Sequence, residues 1–420
     1  MKVKFYTLGC KVNQYDTQII REGFLEKGFK EASQKKRADI YLINTCTVTS
    51  SADSKSREII RRSIRENPKA KIIVTGCLAE LDVGQIKGIN KDILIFKNKE
   101  KENIAYFLTG KPDNRITGKP VNRPTGKLTN RITFFKGRTR AFLKIQDGCD
   151  NFCSYCKVSL VRGKPKSKPL KLIFKEAKGL VRRGFKEIVL TGICLGAYGR
   201  DFKKERVDLV DVIEGLEKIK GLERIRLSSI EAGDITDSLL KSFLRLTKLC
   251  PHLHIPIQSG DNVILKKMNR KYTRKSYLLL INKIKKIVPQ IAITTDCIVG
   301  FPGESEKNFQ NTLSLVQKIN PLKVHIFPYS PREGTSAAVN YKITLPKAIL
   351  NERVKRLKAL SEKSRLKFLQ KFKGKRLPVL FEALSKEKKG YWEGFTGNYI
   401  KVYLKSGKPL KNKIINIKLK

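Results

Sequence analysis

The stretch DGCDNFCSYC, Asp147 to Cys156, decides the fold because it sets three cysteines directly after a strand-like run, RAFLKIQ. Cys149, Cys153 and Cys156 are separated by three and two residues. Cysteine metal sites usually have four ligands, so the triplet is one thiolate short of a full set. Five more strand-like runs follow, each separated by a plausible helix: EIVLTG, RIRLSS, LHIPIQ, AITTDCIVG and KVHIFPYS. Six such strands predict a parallel α/β barrel, closed or open, with its site where the strands end.

The first hundred residues repeat one pattern, a short apolar run followed by a cysteine. VKFYTLG precedes Cys10, ADIYLINT precedes Cys46 and KIIVTG precedes Cys77. Helix-like stretches separate these runs at about Gln18–Lys27 and Ala52–Arg65. Strands that alternate with helices predict parallel βαβ units, whose strands all end at one edge of the sheet. We therefore expect the three cysteines to converge, against the alternative that each is simply a small buried residue.

The composition favours a protein of a reducing compartment that binds nucleic acid. The 89 lysines and arginines against 38 acids give a formal net charge of +51, for which a polyanion is the natural partner. A general lysine bias of the proteome is the alternative source of part of this excess. No window approaches the roughly 20 apolar residues of a membrane span. Nine cysteines in 420 residues favour metal ligation or catalysis over disulfides. We expect a cytoplasmic protein without membrane segments or disulfides.

The rest of the chain divides into a linker, a helix and a basic tail. An eight-residue repeat, TGKPDNRI, TGKPVNRP, TGKLTNRI, predicts a flexible basic linker. Residues from Pro346 to about Lys373 predict a basic amphipathic helix, and the β-like runs after it predict a small antiparallel barrel. From Lys371 onward, 14 lysines and arginines stand against 3 acids, which fits RNA binding. The predicted boundaries are 1–108 for the sheet domain, 109–135 for the linker, 136–345 for the barrel, 346–370 for the helix and 371–420 for the tail domain.

Zinc and an iron–sulfur cluster are the two candidates for the triplet of cysteines. Zinc usually takes four ligands, often as two Cys-x-x-Cys pairs or as cysteine with histidine. No second pair is nearby, and the only histidines of the chain are His252, His254 and His325. A four-iron cluster is also normally held by four thiolates, so three leave one iron open to another ligand. The ligand count favours the cluster, and structural zinc is the weaker alternative.

The spacing Cys-x-x-x-Cys-x-x-Cys resembles the signature of the radical S-adenosylmethionine (SAM) enzymes. Further motifs follow in order along nearly the whole chain: TLGCKVNQYDT, INTCTVT, VTGC, CDNFCSYC, VLTG, RIRLSSIE, HIPIQSGDNVILKKMNRKY, DCIVGFPGE and FPYSPREGT. They are similar to the methylthiotransferase family, and the tail is similar to its TRAM RNA-binding domain. The resemblance implies an α/β protein with an N-terminal parallel α/β sheet domain, a central open radical SAM α/β barrel and a small C-terminal antiparallel β-barrel.

The resemblance implies two [4Fe–4S] clusters and SAM as cofactors. One cluster would bind SAM and, once reduced, cleave it to a 5′-deoxyadenosyl radical that takes a hydrogen from carbon 2 of an adenine. An auxiliary cluster would carry the methylated sulfur that is delivered to this carbon. The ligands of the SAM-binding cluster would be Cys149, Cys153 and Cys156. The ligands of the auxiliary cluster would be Cys10, Cys46 and Cys77.

The same resemblance implies further site residues and partners. The SAM contacts would come from Tyr155, Gly192, Ser228 and Gln258. The RNA contacts of the tail would come from Tyr399, Lys401, Lys411 and Lys413. The implied partners are the anticodon loop of a tRNA and an electron donor such as flavodoxin or ferredoxin.

The opening LGCKVNQYDT is similar to the MtaB-type branch of the family, which modifies N6-threonylcarbamoyladenosine at position 37 of tRNA. Isopentenyl-adenosine tRNA and a ribosomal protein are the alternative substrates within the family. A non-catalytic iron–sulfur or zinc RNA-binding protein is the alternative of another class. The chain departs from the family pattern at Lys157 and Ser159, where an apolar residue and a proline are usual, at Cys194, where asparagine is usual, and in the mild turn KPKSK, 164–168. None of these departures removes a predicted iron ligand.

Overall fold

The computed structural model of the chain describes residues 1–33, 36–109, 132, 135, 137–204, 206–341 and 345–419. The chain divides into two compact units, one spanning 1–134 with 157–163 and the other spanning 135–156 with 164–420. The repeats predicted to form a linker lie outside the described residues, except at their ends. All nine cysteines are free thiols. Among the described residues, no helix combines the length and the apolar character needed to cross a membrane.

The first unit is a parallel sheet covered by helices. Its strands are β1 (Lys2–Thr7), β2 (Lys30–Glu31), β3 (Ile40–Thr45), β4 (Lys71–Gly76) and β5 (Leu94–Phe96). Its helices are α1 (Lys11–Glu26), α2 (Ser50–Glu66), α3 (Cys77–Leu81), α4 (Val83–Lys87), α5 (Ile104–Thr109) and α6 (Val158–Arg162), with a 3-10 helix at Asn98–Asn103. The strand order is β2-β1-β3-β4-β5, and every neighbouring pair is parallel. The predicted parallel α/β sheet is therefore confirmed.

The central strand β3 explains why this unit holds together. All six of its residues are buried, because successive side chains enter cores on opposite faces of the sheet. Tyr41 and Ile43 belong to one apolar cluster, whereas Ile40 and Leu42 belong to the other. A strand buried on both faces reads as a continuous apolar run, which is how it was recognised in the sequence.

Helix α1 begins at Lys11, about two turns before the predicted start near Gln18. The apolar periodicity missed the first turns because their buried face is polar. Asn13, Asp16 and Thr17 are buried at helical spacing, and they bind neighbouring chain segments rather than an apolar core.

The second unit contains the predicted barrel of six parallel strands: β6 (Arg140–Lys144), β9 (Glu187–Thr191), β10 (Arg224–Leu227), β11 (His252–His254), β12 (Ala292–Val299) and β13 (Lys323–Pro328). Two short strands, β7 (Gln146–Asp147) and β8 (Lys166–Ser167), form a separate antiparallel pair. One sheet has the order β10-β9-β6 and another the order β11-β12-β13. Two parallel bridges, Ile225 with Leu249 and Ser229 with His254, join β10 to the segment of β11. The described strands thus follow one another as β6-β9-β10-β11-β12-β13, an open barrel.

The helices of this unit are α7 (Leu170–Arg182), α8 (Leu209–Glu217), α9 (Asp237–Arg245), α10 (Asn262–Lys267), α11 (Arg274–Ile287), α12 (Glu306–Ile319), α13 (Ser336–Asn340) and α14 (Lys347–Gln370). The helix predicted after Pro346 is α14. Beyond it, β14 (Arg376–Leu384), β15 (Tyr391–Thr396), β16 (Lys401–Lys405) and β17 (Ile414–Lys418) form an antiparallel sheet of order β16-β15-β14-β17. The sheet is a half-barrel, which bears out the antiparallel tail predicted from the alternation of its residues.

Candidate active site

The first cysteine triad lies at the carboxyl edge of the first unit's sheet. Cys46 directly follows β3, Cys77 directly follows β4 and Cys10 comes three residues after β1. Because β1, β3 and β4 are neighbours and parallel, their ends converge. The thiols of Cys10 and Cys77 lie close enough to that of Cys46 to raise its pKa further, after burial, which raises the pKa of Cys46 to about 12. The structure therefore brings these three predicted ligands together.

A hydrogen-bond network holds the three loops in register. The Asn13 side-chain amide donates to the backbone oxygens of Leu8 and Thr45, at 2.9 Å each. The Thr45 hydroxyl donates to the Thr75 carbonyl at 2.6 Å and accepts from the Leu78 amide at 3.2 Å. These five residues flank the three cysteines, so the network fixes the thiols relative to one another. Buried polar groups that are fully paired in this way make a site rigid.

Two glycines allow the loops to approach so closely. Gly9 has φ +90°, and a Cβ there would lie 2.7 Å from the Cys46 sulfur. Gly76 has φ +100°, and a Cβ there would lie 2.4 Å from the Thr45 carbonyl oxygen. Only glycine adopts these conformations without strain and leaves the required space.

A buried group of charges surrounds Cys77. Lys101 and Arg162 both pair with the Asp16 carboxylate, at 2.9 and 3.2 Å, and Arg162 also donates to the Asn13 side-chain oxygen. Burial raises the pKa of Cys77, and the positive charges of Arg162 and Lys101 oppose that rise. Lys101 and Arg162 were not predicted from the sequence; the available signal for a polar site was the spacing of Asn13, Asp16 and Thr17 directly after Cys10.

The second cysteine triad lies in the loop after the barrel's first strand, as predicted. The loop is anchored at its middle residue, Ser154, whose amide donates to the Met268 carbonyl at 3.1 Å and whose hydroxyl donates to the Lys267 carbonyl at 2.8 Å. The Ala337 amide donates to the Ser154 carbonyl at 2.8 Å. Phe152 has a left-handed backbone, φ +49°, and its carbonyl accepts from the Asn269 side chain at 2.9 Å. The ends of α10 and α13 therefore fix the path of the loop.

Charged and polar groups contact the thiols of this second triad. Arg270 donates to the Cys153 sulfur at 3.1 Å and forms an ion pair with Glu231. Burial raises the pKa of Cys153, and Arg270 opposes the rise. The side-chain interaction between Cys194 and Cys149 lowers the pKa of Cys149 to about 7 and raises that of Cys194, and the Cys194 thiol donates to the Asp234 carboxylate at 3.5 Å. Cys194 is a neighbour of the triad, so its departure from the family pattern lies at the site itself.

The two triads fit iron–sulfur clusters better than single zinc ions. Each offers three thiols and has an arginine in contact, which suits an anionic thiolate-ligated group. Zinc–sulfur bonds of about 2.3 Å require sulfurs within roughly 4 Å of one another. Within the described part of the chain, the group of side chains with three ligand atoms within 4.8 Å is His254, Asp296 and His325. Neither cysteine triad is drawn that tightly together, as a cluster several ångströms across requires.

The residues predicted to contact SAM all lie at the carboxyl ends of barrel strands or in the cysteine loop. Tyr155 is packed beside Arg270, which donates to its hydroxyl at 3.5 Å. Gly192 follows β9, and a Cβ there would lie 3.0 Å from the Gln146 side-chain oxygen. The buried Ser228 follows β10, and its hydroxyl has no hydrogen-bond partner among the described residues. Gln258 follows β11 with a left-handed φ of +59°. An unpaired buried hydroxyl at a strand end is a feature expected of a ligand site.

The four tail residues predicted to contact RNA lie in different surroundings. The Tyr399 ring packs against the Arg226 guanidinium, 3.9 Å from the ring centre, and Arg140 donates to its hydroxyl at 2.7 Å. Lys401 pairs with Glu387 and Glu393, at 3.2 and 3.1 Å. Both remaining lysines are exposed: Lys411 and Lys413. Tyr399 is thus engaged within the chain, whereas the two exposed lysines face solvent.

Comparisons with known proteins agree with this arrangement. Residues 143–316 match the radical SAM superfamily, and residues 2–96 match an uncharacterised protein family, UPF0004. The fold is similar to that of the radical SAM methyltransferase TsrM from Kitasatospora setae, with a TM-score of 0.57 and 11% identity over 81% of this chain and 77% of that one. It is also similar to the radical SAM enzyme OxsB, with a TM-score of 0.54 and 14% identity over 86% and 56% of the two chains. The barrel and the triad after its first strand define a radical SAM protein.

Curated relatives of nearly the same length narrow this class. The threonylcarbamoyladenosine tRNA methylthiotransferase MtaB of Bacillus subtilis is 39% identical over 99% of this chain and 93% of its own. The corresponding protein of Aquifex aeolicus is 40% identical over 90% and 92%. The tRNA-2-methylthio-N(6)-dimethylallyladenosine synthase of Clostridium tetani is 34% identical over 98% and 92%. The chain therefore belongs to the radical SAM methylthiotransferase family that contains MtaB, and membership implies SAM and [4Fe–4S] clusters as cofactors.

Proposed function

We propose that this chain adds a methylthio group to carbon 2 of N6-threonylcarbamoyladenosine at position 37 of tRNA. The observation that carries the proposal is the presence of two cysteine triads, each at the carboxyl ends of parallel strands, in a chain similar over nearly its full length to MtaB proteins. One triad alone would suffice for cleavage of SAM. The second gives the chain a separate place for the sulfur.

The two cysteine triads would hold clusters with different tasks. Cys149, Cys153 and Cys156 would hold the cluster that takes SAM, and a cluster with SAM supplies the radical chemistry that an unreactive carbon–hydrogen bond requires. Arg270 contacts both Cys153 and Tyr155, so it orients the cysteine loop and adds positive charge there. Ser228 offers an unpaired hydroxyl to the bound cofactor.

The auxiliary triad, Cys10, Cys46 and Cys77, would hold the second cluster. The Asn13 and Thr45 network keeps these three thiols in place, and the buried Lys101 and Arg162 supply positive charge beside Cys77. Cys46 and Cys77 are buried, whereas Cys10 is exposed, so two thiols are shielded from water and the third faces the open side of the site.

The domain division 1–108, 109–135, 136–345, 346–370 and 371–420 assigns one task to each part. The sheet domain holds the auxiliary cluster, the barrel holds SAM and the tail binds tRNA near its anticodon loop, with Lys411 and Lys413 offering exposed positive charge. We place the reaction in the cytoplasm, with flavodoxin or ferredoxin as the class of electron donor.

Isopentenyl-adenosine tRNA is the second candidate substrate, because relatives named for dimethylallyladenosine are 34% identical over 98–99% of this chain. The test uses protein purified without oxygen, with reconstituted clusters, reductant, SAM and each of the two tRNAs, followed by nucleoside mass spectrometry. We expect one added methylthio group on threonylcarbamoyl-adenosine, lost in Cys149→Ala and in Cys10→Ala. Cys250→Ala, which removes a buried cysteine of neither triad, is the matched control.

The results of this assay distinguish between the candidate functions. Product on isopentenyl-adenosine alone would move the chain to the other branch of the family. Deoxyadenosine without a methylthio product on either tRNA would keep the radical chemistry and refute both substrates. Absence of iron and of SAM cleavage would leave only an RNA-binding protein.

A further inference from the structure

Two of the three histidines lie with an aspartate on adjacent barrel strands. His254 ends β11, Asp296 is in β12 and His325 is in β13. The strand register pairs His254 with Thr294, and Asp296 with His325. Because residues two apart on a strand point to the same side, Thr294 and Asp296 share a face, and the two histidines lie on that face beside them.

This shared face is the inside of the barrel. His252 lies two residues before His254 and therefore points the same way, and its ring packs 4.6 Å from that of Tyr399. The same Tyr399 ring contacts Arg140 from β6 and Arg226 from β10. A single side chain reaches three different strands of a barrel only from its interior. The cluster of His254, Asp296 and His325 therefore lines the barrel lumen. It lies one layer of side chains away from His252, Arg140 and Arg226, which contact Tyr399.

The three side chains present nitrogen and oxygen atoms to one point. The His254 Nε2 atom is 3.2 Å from the Asp296 Oδ2 atom, and one ligand atom from each of the three residues lies within 4.8 Å of the others. Metal bonds of about 2.0–2.2 Å hold neighbouring ligand atoms roughly 3 Å apart. The His254 and Asp296 pair already has this spacing, and the His325 ligand atom lies within 4.8 Å of both. The His254 and Asp296 side chains are 17% and 26% exposed, so the point is accessible to a small ion.

The other nitrogen of His254 is held by a threonine. The His254 Nδ1 atom is 2.9 Å from the Thr294 hydroxyl, which is also 3.0 Å from the His252 Nε2 atom. A hydroxyl has one hydrogen, so it can donate to only one of the two rings. In the tautomer in which His254 donates from Nδ1, its Nε2 lone pair faces the Asp296 carboxylate, an arrangement that a bound cation stabilises. A metal-bound histidine typically has its second nitrogen fixed in this manner. In the other tautomer, Nε2–H donates to the carboxylate.

We propose that His254, Asp296 and His325 form a site for a divalent transition-metal ion in the barrel lumen. Two imidazoles and a carboxylate are donors that suit zinc, cobalt(II) and iron(II), in contrast to the thiolate sets of the two cysteine triads. Three protein ligands leave coordination positions open for water or for an oxygen atom of a molecule bound in the barrel. The site is independent of the proposed substrate, since it rests on the barrel's own side chains.

Cobalt(II) is the probe that tests this site in the full-length holoprotein. Both clusters are reconstituted and kept oxidised, the affinity tag is removed, and excess cobalt is separated by gel filtration. Cobalt and iron are then measured per chain by mass spectrometry, with low-temperature electron paramagnetic resonance of high-spin cobalt. We expect about one cobalt per chain in the unchanged protein, and at least a tenfold loss in Asp296→Asn and in His325→Gln. The iron content should be the same in all of these proteins.

Cys250→Ala is the matched control because it removes a buried potential metal ligand outside the cluster, and it should retain the cobalt. An unchanged iron content and circular dichroism spectrum show that a variant is folded, so loss of cobalt alone reports the site. Equal cobalt in every variant would place the ion elsewhere and overturn the proposal. No cobalt in the unchanged protein would also overturn the proposal. The contact between His254 and Asp296 would then be a hydrogen bond from Nε2–H to the carboxylate.

Discussion

At the scale of single residues, two buried cations lie beside Cys77. Lys101 and Arg162 are two buried cations that share one carboxylate, Asp16. Burial lowers the pKa of Lys101, while Asp16 opposes this effect. The positive charges of Arg162 and Lys101 favour the thiolate form of Cys77 and oppose the effect of its burial. This charge arrangement therefore suits an anionic cluster held by Cys10, Cys46 and Cys77.

Lys101→Gln should lower the reduction potential of the auxiliary cluster by an amount on the order of tens of millivolts. A positive charge near a cluster favours the reduced, more negative state, so its removal favours the oxidised state. The potential is read by electron paramagnetic resonance during a redox titration, in a chain that also carries Cys149→Ala, Cys153→Ala and Cys156→Ala. Only the auxiliary cluster then contributes.

The matched control for this prediction is Lys99→Gln, an exposed lysine in the same 3-10 helix. Its effect should be screened by water and salt. Equal shifts in the two variants would show that general charge, rather than the buried position of Lys101, sets the potential.

The sequence revealed the cysteines of both triads but not the residues that hold them. The cysteines were recognisable because each follows an apolar strand, and strand ends converge in a parallel sheet. Lys101 and Arg162 reach the site from a 3-10 helix and from α6, far from Cys77 in the chain. A single sequence contains no signal for such long-range pairs, since each residue alone is an ordinary surface type.

At the scale of elements, the turn from β4 into α3 decides whether Cys77 reaches the site. Gly76 makes this turn with φ +100° and lies against the Thr45 backbone. Gly76→Ala should destabilise the first unit by about 2 kcal/mol or more, because a side chain there is strained and collides with backbone. The melting temperature and the iron content of the reconstituted protein check this result.

Gly84→Ala is the control for the Gly76 substitution. Gly84 lies inside the short helix α4, where a Cβ meets only the Asp82 side-chain oxygen at 3.8 Å. Alanine there should be neutral or slightly stabilising, because it favours helix. Similar losses from both substitutions would contradict the role given to the conformation of Gly76.

Helices α11 and α12 are joined by a lysine that titrates near neutral pH. Lys285 of α11 donates to the Ile319 and Asn320 carbonyls at the end of α12. Burial lowers the pKa of Lys285 to about 8, with further lowering by the nearby lysines 371 and 367. An unfolded lysine titrates near pH 10.4, so the unfolded chain binds more protons between about pH 8 and pH 10. Stability should therefore rise as the pH increases through this window.

Lys285→Gln should remove this rise. Between pH 7.5 and pH 10, the free energy of unfolding of the unchanged protein should increase by about 1 kcal/mol relative to the variant. This value is reduced because the ammonium group is partly exposed. Thermal unfolding at both pH values measures the gain. Lys286→Gln, an exposed neighbour on α11, should follow the unchanged protein. A pH dependence that is the same in all three proteins would show that Lys285 keeps an ordinary pKa.

Helices and strands could be predicted from the sequence where their buried faces are apolar. All six barrel strands and α14 were found because their periodicity matches the faces that pack. Helix α1 was placed about two turns late because Asn13, Asp16 and Thr17 are buried through hydrogen bonds. Apolar periodicity cannot detect a polar buried face, and such faces occur where an element serves a site.

At the scale of the whole molecule, a net charge of +51 attracts any polyanion, so it does not by itself define where tRNA binds. Of the aromatic residues of the tail, Tyr399 was predicted to contact RNA, yet Trp392 and Tyr399 both pack onto the apolar cluster of the half-barrel. Sequence composition could not separate these roles, because aromatic side chains serve equally well as core and as stacking surface.

Lys411→Glu with Lys413→Glu should weaken tRNA binding and reduce its salt dependence. Both lysines are exposed beside β17. Each phosphate contact on single-stranded RNA contributes about 0.7 to the slope of log affinity against log salt, so loss of two contacts should lower the slope by roughly 1.4. Binding is measured by fluorescence anisotropy across a salt series with the reconstituted protein.

Lys307→Glu with Lys318→Glu on α12 is the control that decides between local contact and overall charge. Both control lysines are exposed, and the two double variants lose the same amount of positive charge. If tRNA responds only to the field of the whole chain, the two variants must weaken binding equally and leave similar slopes. If the tail contacts the phosphates of the tRNA, only the tail variant should change the slope of log affinity against log salt. Counterion release depends on the number of phosphates contacted rather than on net charge. Equal effects would refute the tail as the binding surface while leaving the chemistry of the two cysteine triads untouched.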